Sequence, residues 1–131
     1  GWLESLDLSV RKKIEIVSGD IKDLSFMVKI TKNVDAIFHL AALISIPYSY
    51  VSPKSYIDNN IFGSYNILES AKINKTKKII MTSTSEVYGT AKFVPITEEH
   101  SLNAQSPYAA SKTASDQLAL SYFRSFNADH K

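Results

Sequence analysis

The 131-residue sequence contains no cysteine, so neither a disulfide framework nor a thiolate metal site is available to it. No apolar run approaches the ~18 residues that a membrane span requires. Neither sign of charge dominates: fifteen Lys and Arg stand against thirteen Asp and Glu, a formal net charge of +2. The basic residues scatter apart from the pairs Lys12-Lys13 and Lys77-Lys78, too little for a nucleic-acid footprint. Glycine is scarce, and Gly1, Gly19, Gly63 and Gly89 lie too far apart to build a glycine-rich phosphate loop. The opening Gly1 to Asp7 has no initiator methionine, no basic start and no apolar h-region. The closing Asn127 to Lys131 follows a helical pattern without a terminal element. The expectation is a fragment of a longer, soluble, cytoplasmic protein with no membrane or nucleic-acid partner.

What is present suits one compact domain spanning 1–131. At 44% hydrophobic residues the chain can bury roughly two-thirds of its unfolded surface around a single core. Ile14-Glu15-Ile16-Val17 is a β-branched run ending at Ser18-Gly19-Asp20 and reads as a strand. Helical apolar spacing follows from Asp23 to Ile30. Ala36 to Ala42 is a continuous apolar run, the pattern of a strand covered on both faces in a parallel sheet. A long helix is predicted from Pro53 to Asn74, with Tyr56, Asn60, Gly63, Ile67, Leu68 and Ala71 on one face and Gly63 marking close packing. Lys78 to Ser83 reads as a third buried strand, and a polar loop from Thr84 to Ser106 leads to a helix starting near Pro107. This strand-helix alternation predicts a Rossmann-like, doubly wound α/β layer, in which ligands collect at the carboxyl ends of the strands.

Three clusters fall at those ends: Gly19-Asp20-Ile21, Leu40-Ala41-Ala42 and Thr84-Ser85-Glu86. Beyond them, Tyr108 and Lys112 stand four residues apart at the start of a helix, so both side chains share a face. An ammonium there favours the phenolate form, which can take a proton from a hydroxyl. His39, His100 and His130 have no ligand spacing, and no metal site is expected. The tyrosines, including Tyr48, Tyr50, Tyr56 and Tyr65, read as packing and interface residues, since no basic stripe accompanies them.

The ordered set Gly19-Asp20-Ile21, His39-Leu40-Ala41-Ala42, Asp58-Asn59-Asn60 with Gly63, Thr82-Ser83-Thr84 through Gly89, and Tyr108 to Lys112 resembles the extended short-chain dehydrogenase/reductases that modify nucleotide sugars. Within them, Ala41 to Tyr50 and Thr90 to His100 look most like NAD-dependent 4,6-dehydratases acting on UDP-N-acetylglucosamine in legionaminic-type pathways. The resemblance implies NAD as cofactor, a nucleotide-sugar substrate, a homodimer, a first β-α-β unit with a Gly-x-x-Gly-x-x-Gly loop and a C-terminal substrate lobe. Neither that unit nor that lobe is found in this sequence.

By the same resemblance Tyr108 takes the proton of the sugar 4-hydroxyl while hydride passes from C4 to the nicotinamide. Lys112 tunes Tyr108 and holds the nicotinamide ribose, and Thr84 hydrogen-bonds the same hydroxyl. Glu86 takes the C5 proton once C4 is a ketone, a step that a dehydratase needs and an epimerase does not. Asp20 and Ile21 contact the adenine, Leu40, Ala41 and Ala42 lie beneath the cofactor, Asn59 touches it, and Ser45 belongs to the substrate side. Asn60 is expected to satisfy buried backbone groups inside the long helix instead. One departure stands out: hexose 4,6-dehydratases carry an aspartic acid just before the glutamate, and here that position is Ser85. UDP-glucuronate decarboxylases share the Thr-Ser-Glu arrangement, so decarboxylase and 4-epimerase remain open, as does a non-catalytic dinucleotide-binding scaffold.

Overall fold

A computed structural model describes residues 2–126. Two parallel strands, β1 (Ala36–His39) and β2 (Lys78–Met81), pair in the register Ala36↔Lys78 through His39↔Met81. The crossover between them is helical: α3 (Ile46–Val51), α4 (Pro53–Tyr56), a π-helical turn (Ile57–Phe62) and α5 (Gly63–Asn74). Before the sheet come the short α1 (Leu8–Arg11) and α2 (Leu24–Ile30), and after it a 3-10 turn (Ser85–Tyr88) and α6 (Pro107–Phe126). The expected α/β layer with a parallel sheet is therefore present.

The predicted helix from Pro53 to Asn74 is a succession of α4, the π turn and α5, and the six residues assigned to its inner face are all buried. Gly63 is a close-packing site, because a Cβ there would stand 2.8 Å from Cγ1 of Ile21. The carboxylate of Asp23 caps α2 by accepting the N–H of Phe26 at 3.0 Å. Asn74 closes the other end of this pair, donating to the Val28 carbonyl at 2.8 Å and to Thr31 Oγ1 at 2.9 Å. Thus α5 packs on α2 and also on α6.

The apolar core is small, consisting of Met27, Tyr56, Ile67, Leu68, Ala71, Val87 and Ala109. Around it lies a seam of buried small polar residues, Ser49, Ser64, Ser70, Ser111 and Ser115, with Asn60 and Asn66. Ser49, Ser70, Ser111 and Ser115 return their hydroxyls to carbonyls three or four residues earlier, which satisfies them while letting the helices approach closely.

The expectations for all three strands need correction. Ile14 to Val17 forms no strand; it pairs with no described segment, and Ile16 is 70% exposed. A strand exists through its ladder, and a β-branched run without a neighbour has none. The run from Ala36 is a strand only to His39, and the run from Lys78 only to Met81. Nor is β1 covered on both faces: Ile37 and His39 turn toward the helices, whereas Phe38 is 67% exposed because no described helix covers that side.

Candidate active site

The carboxyl ends of both strands open on the same side as α6. After β1 the chain runs through Ala41 and Ala42, and with Gly19, Asp20, Ile21, Lys22, Leu43 and Asn59 these line an open groove of about 480 Å³. Five residues assigned to the cofactor from the sequence, Asp20, Ile21, Ala41, Ala42 and Asn59, thus meet at one place. Leu40 does not line it and is 70% exposed. Asp20 accepts the N–H of Lys22 at 2.9 Å and leaves most of its carboxylate exposed. Lys22 and Leu43 were not singled out from the sequence, although Lys22 follows the Asp20-Ile21 pair directly.

Asn60, next to Asn59, joins three segments. Its Oδ1 accepts the N–H of Leu43 at 2.8 Å, and its Nδ2 donates to the Leu43 carbonyl at 3.0 Å and to Ser111 Oγ at 2.9 Å. Its own carbonyl accepts Ser115 Oγ at 2.7 Å. The residue satisfies buried backbone groups as expected, but those of the loop after β1 rather than of its own helix. It fixes that loop to α6, the helix bearing Tyr108 and Lys112.

Lys112 is 7% exposed and its ammonium donates to the Thr82 carbonyl at 2.6 Å, which seats the first turns of α6 against the end of β2. Burial pulls the Lys112 ammonium below the ordinary lysine range, and the charge of Asp116 opposes that pull. Two residues past Thr82, Thr84 caps the 3-10 turn, its Oγ1 accepting the N–H of Glu86 at 3.3 Å. Glu86 lies exposed in that turn. The Tyr108 ring packs edge-on against Tyr56 at 6.2 Å between centroids, and its hydroxyl has no hydrogen-bond partner among the described residues.

Ser45 enters the same cluster indirectly. It caps α3 with φ +90, a conformation that non-glycine residues avoid at a cost of about 1–3 kcal/mol. Tyr56, fully buried, holds it there by donating its hydroxyl to the carbonyls of Ile44 and Ser45, both at 2.7 Å. A strained Ser45 and the Tyr108 ring are therefore both set by Tyr56, a residue that sequence reading placed only in packing.

His39 lies behind the site, 6% exposed and 3.1 Å from Ser64 Oγ. Burial first, then the charge of Lys112, lower its pKa from the ordinary value. Below about pH 6.5 the unfolded chain takes up a proton that folded His39 refuses, so stability falls as pH falls through that value. His39→Gln should therefore lose less stability than the parent on acidification through this range, measured by chemical denaturation at stepped pH. Equal slopes would show that His39 carries no such linkage.

A family profile described as GDP-mannose 4,6 dehydratase matches residues 1–130. The chain belongs to this family. Among curated relatives of this dehydratase-family chain, the dTDP-glucose 4,6-dehydratase of Streptomyces antibioticus is 34% identical over 116 residues, covering 88% of this chain and 35% of the relative. The UDP-glucose 4-epimerase of Lactobacillus helveticus is 32% identical over 112 residues, covering 84% of this chain and 34% of the relative. Among solved structures, the UDP-N-acetylglucosamine 4-epimerase of Methanobrevibacter ruminantium M1, in complex with UDP-N-acetylmuramic acid, superposes with a TM-score of 0.87 at 35% identity. It is matched over 95% of this chain and 40% of its own. The dTDP-glucose 4,6-dehydratase of Streptomyces venezuelae, solved with NAD bound, gives a TM-score of 0.82 at 34% identity over 85% of this chain and 34% of its own. The family member described here thus spans little more than a third of the length of these relatives. The extended dehydrogenase/reductase resemblance read from its motifs is correct at family level. Among its described residues, no helix is long and apolar enough to cross a membrane.

Proposed function

We propose that this chain is the cofactor-side part of a longer NAD-dependent nucleotide-sugar enzyme, a 4,6-dehydratase acting on UDP-N-acetylglucosamine. The observation that carries the reading is the joining of α6 to the end of β2 by the Lys112–Thr82 hydrogen bond at 2.6 Å. It ties the helix that carries Tyr108 and Lys112 to the segment that runs on to Thr84 and Glu86, and α6 also packs on the Ser85–Tyr88 turn.

The groove suits the adenosine end of a dinucleotide: it is open, floored by two alanines, and offers one amide and the Asp20 carboxylate, which stands 3.4 Å from the Lys22 ammonium. Asp20 and Ile21 would hold the adenine, Ala41 and Ala42 admit the ribose and diphosphate, Asn59 contact the cofactor, and Lys112 bind the nicotinamide ribose. The described glycines provide no diphosphate loop, since Gly19 abuts the Phe26 ring, Gly63 abuts Ile21, and Gly89 sits in a turn at φ +65. That loop belongs to the remainder of the longer enzyme. When bound, NAD supplies a reversible two-electron acceptor for the hydrogen leaving C4.

The chain's own residues do the rest. Thr84 Oγ1 and Tyr108 Oη flank the sugar 4-hydroxyl, and Tyr108 removes its proton beside the Lys112 ammonium. The resulting ketone acidifies the C5 proton, which Glu86 removes as water leaves across C5 and C6; the hydride taken from C4 returns to C6 and a proton to C5, so net redox is zero. With Ser85 in place of an acid, the proton for the departing hydroxyl comes from another group. Ser45, rigidly held by Tyr56, lies on the substrate side. A homodimer built on α5 and α6 belongs to the same reading, supported by the exposed Ile73, Leu120, Phe123 and Phe126 on those helices.

A second reading, 4-epimerase, is favoured by the epimerases among the relatives. Incubating the full-length protein separately with UDP-N-acetylglucosamine and UDP-glucuronate, and weighing the products, separates the chemistries. Loss of water from the first is the expected result. Loss of carbon dioxide from the second identifies a decarboxylase, and unchanged masses with an inverted C4 identify an epimerase.

A further inference from the structure

Lys112 is almost fully buried, yet its one hydrogen bond goes to a neutral acceptor, the Thr82 carbonyl. No carboxylate forms a close ion pair with it among the described residues. Among the described residues the titratable groups that bear on it are Asp116 on α6 and His39 from β1, with Tyr108 one turn back on the same helix, while Glu86 in the turn after β2 is exposed. Of these, His39 can only repel an ammonium. Asp116 lies four residues beyond Lys112, hence on the same face of α6 and one turn away. It is partly buried, and its Oδ2 accepts a short hydrogen bond from the hydroxyl of Ser83. Ser83 sits between Thr82, whose carbonyl receives the lysine, and Thr84.

We propose that Asp116 is a positioning residue: its carboxylate keeps the buried Lys112 ammonium charged from one turn away and, through Ser83, moors the Thr82–Thr84 strand end to α6. The two roles are physically linked. An ammonium without a nearby anion loses its proton on burial, and a strand end free to shift would carry the Thr82 carbonyl away from it. A direct pair would compete with the Thr82 carbonyl for the Lys112 ammonium, whereas a carboxylate one turn away leaves that hydrogen bond in place.

The inference rests on the reading of Lys112 given under Proposed function, but its test is independent of turnover. The Lys112 side chain is followed by ¹³C NMR through its alkaline titration in the full-length protein, the resonance being assigned by its loss in Lys112→Met. Asp116→Asn, which can still accept from Ser83, should lower the Lys112 midpoint by roughly one pH unit. Ser83→Ala, which keeps the carboxylate but frees the strand end, should lower it by less than Asp116→Asn does. Should Asp116→Asn fold poorly, Asp116→Ser offers the same loss of charge with a smaller side chain, and the same lowering is expected. An unmoved midpoint in the charge-removing variant overturns the proposal, as does an equal shift in Ser83→Ala. In parallel, the basic limb of the kcat/KM profile should move to lower pH with the midpoint. A shifted midpoint with a stationary basic limb supports the role of Asp116 and counts against that of Lys112 in turnover.

Discussion

Replacing Tyr108 by phenylalanine in the full-length protein should lower turnover by about two to four orders of magnitude while NAD still binds, the scale on which a positioned general base contributes. The substitution removes one oxygen. The ring keeps its edge-on packing against Tyr56 at 6.2 Å, and the hydroxyl has no described partner to be left unsatisfied. Folding and the groove that gathers Asp20, Ala41 and Asn59 should be untouched, so calorimetric titration with NAD should match the parent. Replacing Lys112 is a poorer test of catalysis, because it also strands the Thr82 carbonyl beside a buried void. Parent-like turnover in Tyr108→Phe would remove this residue from the mechanism.

The second large effect is expected at Glu86, where elimination parts from simple oxidation at C4. Glu86→Gln keeps the size of the side chain, and the side chain is exposed, so stability should not change measurably. In the proposed mechanism oxidation of the hydroxyl belongs to Tyr108, Lys112 and Thr84, so it should survive. The variant should then stall before water leaves. Borodeuteride quenching would place deuterium at C4 of the trapped ketone, and solvent deuterium would fail to enter C5. If Glu86→Gln dehydrates UDP-N-acetylglucosamine at the parent rate, the glutamate is a loop residue and the dehydratase reading loses its main internal support.

Much of this arrangement is written in local sequence. The helical spacing of Tyr56, Asn60, Gly63, Ile67, Leu68 and Ala71 located a buried face correctly, because that periodicity reports the same geometry that buries it. Asp23 before Leu24 and Pro107 at the start of α6 marked helix starts for similarly local reasons. Strands were less legible. Ile14 to Val17 has the composition of a strand but no described neighbour, and the ladder that makes a strand is a non-local property. The helix α3 was missed although Ser45 and Pro47 are start signals, because the tyrosines after them suggested no apolar stripe. The π turn at Ile57–Phe62 leaves no trace in composition.

The site divides along the same line. Tyr108 and Lys112 could be paired from their spacing alone, and Asp20 with Ala41 and Ala42 from their positions after apolar runs. Their convergence on Asn59 depends on the crossover helix and could only be expected through resemblance. Asn60 joining Leu43, Ser111 and Ser115, and Tyr56 holding Ser45 at φ +90, are tertiary hydrogen bonds spanning many residues of sequence. Ser83 and Asp116 fall in the same class, although the four-residue step from Lys112 to Asp116 was available to be read.

The central claim is that the end of β2 and the start of α6 form one catalytic surface around a sugar 4-hydroxyl. The most direct measurement is a crystal structure of the full-length protein with NAD and UDP-N-acetylglucosamine, using Tyr108→Phe to hold the substrate unreacted. The expected result places sugar O4 within about 3 Å of Thr84 Oγ1 and of the point where the Tyr108 oxygen would stand. A sugar bound elsewhere, with O4 remote from both Thr84 and the ring at position 108, would contradict the account.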